Sequence, residues 1–163
     1  MNEKTYEKMI KILGSHPYAL VMIKGINKLT TTLVYFIYPI FLLMLAFNGD
    51  LRFWRVFLTP GISFMLVSSF RNHTDFPRPY EVLDIIPIIN KSTKGRSFPS
   101  RHVFSAFVIA MTLYYISVPV GVILMFAGII LAIVRVLGGV HFPRDVVVGA
   151  MIGILFGMIG FRL

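Results

Sequence analysis

Three short groups of residues in this chain could hold and transfer a phosphate. The first is Arg71, followed after six residues by Arg78-Pro79. The second is Pro99-Ser100-Arg101-His102. The third is Arg135, then five residues to His141 and three more to Asp145. A phosphate monoester carries close to two negative charges at neutral pH. Arginine answers it with a permanently charged planar fork that fits two phosphate oxygens, so Arg71, Arg78 and Arg135 are candidate phosphate-binding residues. Arg135 is the most informative of them, because it lies near the end of a long apolar run, where a cation is costly unless it is paired or set on a polar cavity. Ser100 precedes an apolar run and can cap a helix there while meeting an anion at the helix N-terminus. His102, in the first turn, faces the same anion and can protonate a departing oxygen. His141 and Asp145 are four residues apart. A carboxylate on one imidazole nitrogen fixes the tautomer, leaves the other nitrogen free to attack phosphorus, and stabilises the charge that develops on the ring.

A metal centre is the competing chemistry. His73, His102, His141, Asp75 and Asp145 are all possible ligands. No HxH or HExxH spacing is present, and the excess of arginine favours electrostatic phosphate binding with no metal and no cofactor. His73 and Asp75 then read as solvated loop residues.

The elements that must position these groups are apolar. Of the 163 residues 56% are hydrophobic and the mean hydropathy is +0.79, values that point to the membrane class. Cysteine is absent, which removes disulfides and thiolate metal sites. The net charge of +9 sits outside the apolar runs, so an anionic lipid surface or substrate accounts for it better than nucleic acid. The opening Met1-Asn2-Glu3-Lys4 begins a mixed charged stretch without the compact apolar region of a secretory signal.

Residues 1–28 carry lysines among apolar positions at helical spacing, broken near Gly14 and Pro17. They read as an amphipathic interfacial segment. Residues 29–163 then form the bundle. Spans of the length a bilayer requires run from Leu29 to Phe47, from Leu51 to Phe70 with Pro60-Gly61 inside it, from His102 to Ser117, from Pro119 to Leu137, and from Pro143 to about Phe161. The expectation is one all-α integral membrane domain, residues 1–163, with about five transmembrane helices and catalytic loops at 71–102 and 135–145. A short helix around residues 80–89 is expected in the long polar loop. Antiparallel spans place the N-terminus, the 71–101 loop and the 139–144 turn on one face, so all three motifs share it.

In order and spacing the motifs resemble the signature of the type 2 phosphatidic acid phosphatase superfamily, the lipid phosphate phosphatases: Lys-x6-Arg-Pro, Pro-Ser-Gly-His, and Ser-Arg-x5-His-x3-Asp. The resemblance covers Arg71 to Asp145. It implies that His141 is a nucleophile forming a phosphohistidine, that Asp145 orients it, and that His102 is the general acid. It further implies that Arg71, Arg78, Ser100 and Arg135, with the backbone N–H of Arg101, hold the phosphoryl oxygens without a metal. Implied substrates are phosphatidic acid, phosphatidylglycerol phosphate or undecaprenyl diphosphate, taken on the extracytoplasmic face of a bacterial cell membrane. Three positions depart from the pattern: Arg71 stands for lysine, Arg101 for glycine and Val134 for serine. The family core commonly has six spans against the five found. The rival reading is a non-catalytic membrane protein that binds or moves an anionic lipid. Two histidines in opposite protonation states predict a bell-shaped pH dependence.

Overall fold

The computed structural model describes residues 3–162; residues 1, 2 and 163 of the expected domain lie outside the described residues. Seven helices make up the described chain: α1 Glu3–Ser15, α2 Pro17–Phe47, α3 Arg52–Thr74, α4 Pro79–Val82, α5 Arg101–Tyr114, α6 Val118–Leu137 and α7 Pro143–Arg162. The protein is an all-helical membrane bundle. Four of the helices (α2, α3, α6 and α7) are long and apolar enough to cross a bilayer. They present large exposed apolar side chains outward, among them Phe36, Leu43, Met65, Phe126 and Met151.

Helix α5 is the centre. Its 14 residues make a rod of about 21 Å, shorter than the hydrocarbon core of a bilayer. It can be short because protein surrounds it: α3, α6 and α7 pack on it, and Val103, Phe104, Ala106, Val108, Ala110 and Leu113 are all buried. The closest approach is to α7. Gly149, Gly153 and Gly157 form a stripe at four-residue spacing, which puts them on one helix face. A β-carbon on Gly153 would lie 2.6 Å from the Phe104 carbonyl, and one on Gly149 would lie 2.9 Å from the Ser100 carbonyl. Small residues at such a seam let two membrane helices meet backbone to backbone.

The helix ends sort into two faces. On one, Arg55 at the start of α3 donates to the Phe161 carbonyl at 3.3 Å, and Tyr115 after α5 stacks on Phe161 with centroids 4.7 Å apart. The other face gathers the end of α3, the 75–100 loop, the start of α5, the α6–α7 turn and the start of α7.

Among the boundaries that differ from the sequence expectation are the start of α2 and the extent of α4. Residues 17–28 are not a separate interfacial piece but the first turns of α2. Its 31 residues span about 46 Å, longer than the apolar core, so Lys24 and Lys28 ride on a spanning helix where it stands clear of the bilayer interior. The helix expected around 80–89 is only the four-residue α4, because Pro87 and the extended Leu83 leave no room for another turn. Helix α1 keeps its amphipathic role. It buries Tyr6 and Ile10 against Ile85 and Phe142, while Lys4, Lys8 and Lys11 stay exposed.

Candidate active site

Helix α3 runs past its expected end to Thr74, so Arg71 sits in its last turn and is buried. Its guanidinium donates to the Ser97 carbonyl at 3.1 Å and also to the Pro99 and Arg96 carbonyls. Arg78, also buried, donates from Nε to the Gly95 carbonyl at 3.0 Å and from Nη1 to the Val140 carbonyl at 3.2 Å. Two arginines expected to hold phosphate thus also bind backbone, and in doing so lock the 95–99 loop and the residue before His141. The loop is fixed from outside as well. Glu81 accepts the backbone N–H groups of Arg78 at 2.7 Å and of Gly95 at 2.8 Å. Asp75, expected as a plain solvated residue, accepts the Arg96 N–H at 3.1 Å. Gly95 has φ +62°, and a β-carbon there would collide with the Asp75 carboxylate, so glycine is required.

That loop delivers Ser97, which the sequence did not single out. Ser97 is buried, and its Oγ donates to Asp145 Oδ2 at 2.5 Å while lying 3.3 Å from His141 Nδ1. His141 Nδ1 is itself 3.5 Å from Asp145 Oδ2. Since the serine O–H points at the carboxylate, its lone pair is left to accept the Nδ1–H of His141. This assigns the proton to Nδ1 and leaves Nε2 unprotonated. Asp145 also accepts the Phe142 N–H at 3.1 Å, which closes the turn, and its own carbonyl accepts the Ser100 N–H at 2.9 Å. The glycine seam of α7 makes this last contact possible, because it brings the first turns of α5 and α7 side by side. From α1, the Tyr6 hydroxyl donates to the carbonyls of Val136, at 2.9 Å, and His141, at 3.2 Å.

Burial pushes the His141 imidazole down to about 4. The nearby Arg78 and Arg135 charges act in the same direction, and Asp145 opposes them. The ring is therefore neutral at physiological pH, the form a nucleophile needs. Arg78 is also pushed down, by burial first, but arginine starts so high that it keeps its charge.

Arg135 is buried near the end of α6. Its Nε has no hydrogen-bond partner among the described residues, and neither has the fully buried Ser100 Oγ. Arg135 and His102 line one cavity of about 350 Å³ with Asn27, Lys28, Thr31 and Lys91. Arg101 departs from this convergence: its side chain is exposed and its guanidinium lies 5.8 Å from the Phe64 ring centroid. Among the described residues no three His, Asp or Glu side chains gather closely enough to hold a metal ion. Between α6 and α7 runs an apolar groove of about 450 Å³, lined by Ala132, Val136, Val146 and Ala150 and reaching Pro143, two residues from His141.

A model of the PAP2 superfamily matches residues 52–163. No curated protein matches the chain. Among solved structures, Aquifex aeolicus LpxE is 28% identical, with 99% of this chain and 95% of that one covered at a TM-score of 0.78. The first transmembrane PAP2 type phosphatidylglycerolphosphate phosphatase from Bacillus subtilis is 22% identical, with 98% and 84% covered at a TM-score of 0.77, a likeness of fold.

Proposed function

This chain belongs to the PAP2 superfamily, and we propose that it is a membrane lipid phosphatase that cleaves a phosphate monoester or diphosphate of a lipid through a phosphohistidine on His141. The observation that carries the reading is the buried relay in which Ser97 and Asp145 hold His141 by Nδ1, so that Nε2 is free and neutral. In the reaction, Nε2 attacks phosphorus and the P–O bond to the lipid breaks. The electron pair leaves with that oxygen, which takes a proton from His102. The charge arising on the His141 ring is offset by Asp145. Water then attacks the phosphohistidine and gives its proton to His102 while the P–N bond breaks, its electron pair returning to Nε2 of His141, and inorganic phosphate departs. Arg135, the Ser100 hydroxyl and the helix α5 N-terminus, whose first amide is that of Arg101, hold the phosphoryl oxygens. Arg71 and Arg78 add charge from behind and fix the loop.

Phosphatidic acid, phosphatidylglycerol phosphate and undecaprenyl diphosphate are the candidate substrates, with the site on the extracytoplasmic face of the cell membrane. The cycle uses only side chains of the protein and is expected to run in the presence of a chelator. Purified protein in detergent with chelator, supplied with these lipids, tests the proposal. His141→Asn should abolish phosphate release and the acid-labile label that wild type acquires from a labelled substrate. Undiminished release from that variant refutes the assigned nucleophile. A protein that binds these lipids but never frees phosphate would be the non-catalytic lipid binder instead. Access of protease to a tag on each terminus, from outside intact cells, tests the orientation.

A further inference from the structure

The cavity beside Arg135 has one wall outside the matched family region. That wall is α2, which offers Asn27, Lys28 and Thr31 across from Arg135 and His102, while the 75–100 loop adds Lys91. We propose that this wall is a subsite for a second anionic group, so that preferred substrates carry a phosphate or comparable anion in addition to the one removed. The inference rests on the lipid phosphatase reading, which places the leaving group on the His102 side of the scissile bond.

Charge balance favours it. The buried carboxylate of the site, Asp145, meets Ser97, His141 and the Phe142 N–H through Oδ2, and the Arg144 guanidinium lies 3.5 Å from its Oδ1. Around it stand Arg71, Arg78 and Arg135, all buried. One phosphate monoester brings close to two negative charges and is already met by these arginines. Lys28 and Lys91 are then surplus, and neither forms an ion pair with a carboxylate among the described residues. Lys91 is half-buried, and its ammonium is pushed down to about 8, by burial first and then by Arg78, Arg135, Arg101 and Arg71. A lysine kept in such a field is stabilised when an anion arrives, and holding it there in advance means that the anion meets a prepared partner.

The position of the wall narrows the chemistry further. His102 shares the cavity, so whatever lies beyond the departing oxygen meets Lys28 and Lys91 and the polar side chains of Asn27 and Thr31. An uncharged diacylglycerol leaves these groups unmatched. A leaving group that retains a phosphate, either directly attached or a few bonds away, matches them.

The test compares a prenyl monophosphate with the prenyl diphosphate of the same chain length, and phosphatidic acid with phosphatidylglycerol phosphate, using the full protein in detergent. Wild type should favour the more anionic member of each pair in kcat/KM. In Lys28→Gln/Lys91→Gln that preference should shrink about tenfold, chiefly through KM, the scale expected for losing close charge pairs. Equal losses on both members of a pair, or a wild-type preference for the less anionic member, overturn the subsite. Lysines that only touch bilayer headgroups give that result. A parallel binding arm needs no turnover: thermal stabilisation of wild type by inorganic diphosphate should exceed that by phosphate, and the double variant should lose the difference. If that difference is present but no lipid is cleaved, the subsite stands and the phosphatase reading fails. If lipids are cleaved without any such discrimination, the phosphatase reading stands and the subsite fails.

Discussion

Acidification should destabilise this protein through His141, by an amount that follows from its burial. In an unfolded chain the imidazole titrates near 6.5, whereas in the fold it titrates at about 4. Between those values the unfolded state holds one proton that the native state lacks. Stability therefore rises with pH across the window. The contribution is complete above about pH 6.5, is lost as pH falls toward 4, and is flat below. At about 1.4 kcal/mol per pH unit the loss totals about 3 kcal/mol. For a chain of this size that corresponds to roughly 6–12 °C in the melting midpoint. Other groups titrate in the same range, so the informative quantity is a difference. Midpoints of detergent-solubilised wild type and His141→Gln are measured from pH 4 to pH 8, and the wild-type curve should fall more steeply on the acid side by that amount. Parallel curves would refute the claim that a neutral imidazole is buried at the site. The same downward shift should move the acid limb of phosphate release below the usual imidazole range, as read from a pH–rate profile.

Ser97→Ala removes the hydroxyl between His141 and Asp145. Loss of a buried hydrogen bond to a charged partner should lower kcat about 10- to 100-fold with KM little changed, as read by steady-state phosphate release. Gly153→Ala places a methyl 2.6 Å from the Phe104 carbonyl and should cost about 1–3 kcal/mol by forcing α5 and α7 apart. Gly14→Ala, with open space around it, should leave the melting midpoint unchanged or slightly raised.

Much of this architecture can be read before any coordinates, because a bilayer demands long apolar runs and proline and glycine punctuate them. Pro143 and the Gly138-Gly139 pair mark helix limits that the fold keeps. The beginning of α2 was less legible. Lys24 and Lys28 argue against a span only if the helix stops at the edge of the hydrocarbon, and α2 continues beyond it. At the site, Arg135, His102, Ser100, His141 and Asp145 stand out through type and spacing. Ser97 does not, since its partners are 44 and 48 residues away and no local pattern links it to them. Tyr6 is hidden for the same reason, at separations of 130 and 135 residues. The stripe of Gly149, Gly153 and Gly157 was not singled out either: a four-residue glycine period does not say which helix it meets, and only the fold shows that it forms the seam that brings Ser100 to Asp145. The backbone duties of Arg71 and Arg78 depend on where loop carbonyls fall, which only the folded chain reveals.

The phenol of Tyr6 has a consequence of its own. One hydroxyl staples the last turn of a spanning helix to the peptide group of His141, and the helix that carries it keeps its lysines outward. Peeling that short helix away would strip two carbonyls of their donor and loosen the ring they steady. The position of the His141 ring is thereby tied to how firmly α1 is seated on the rest of the bundle.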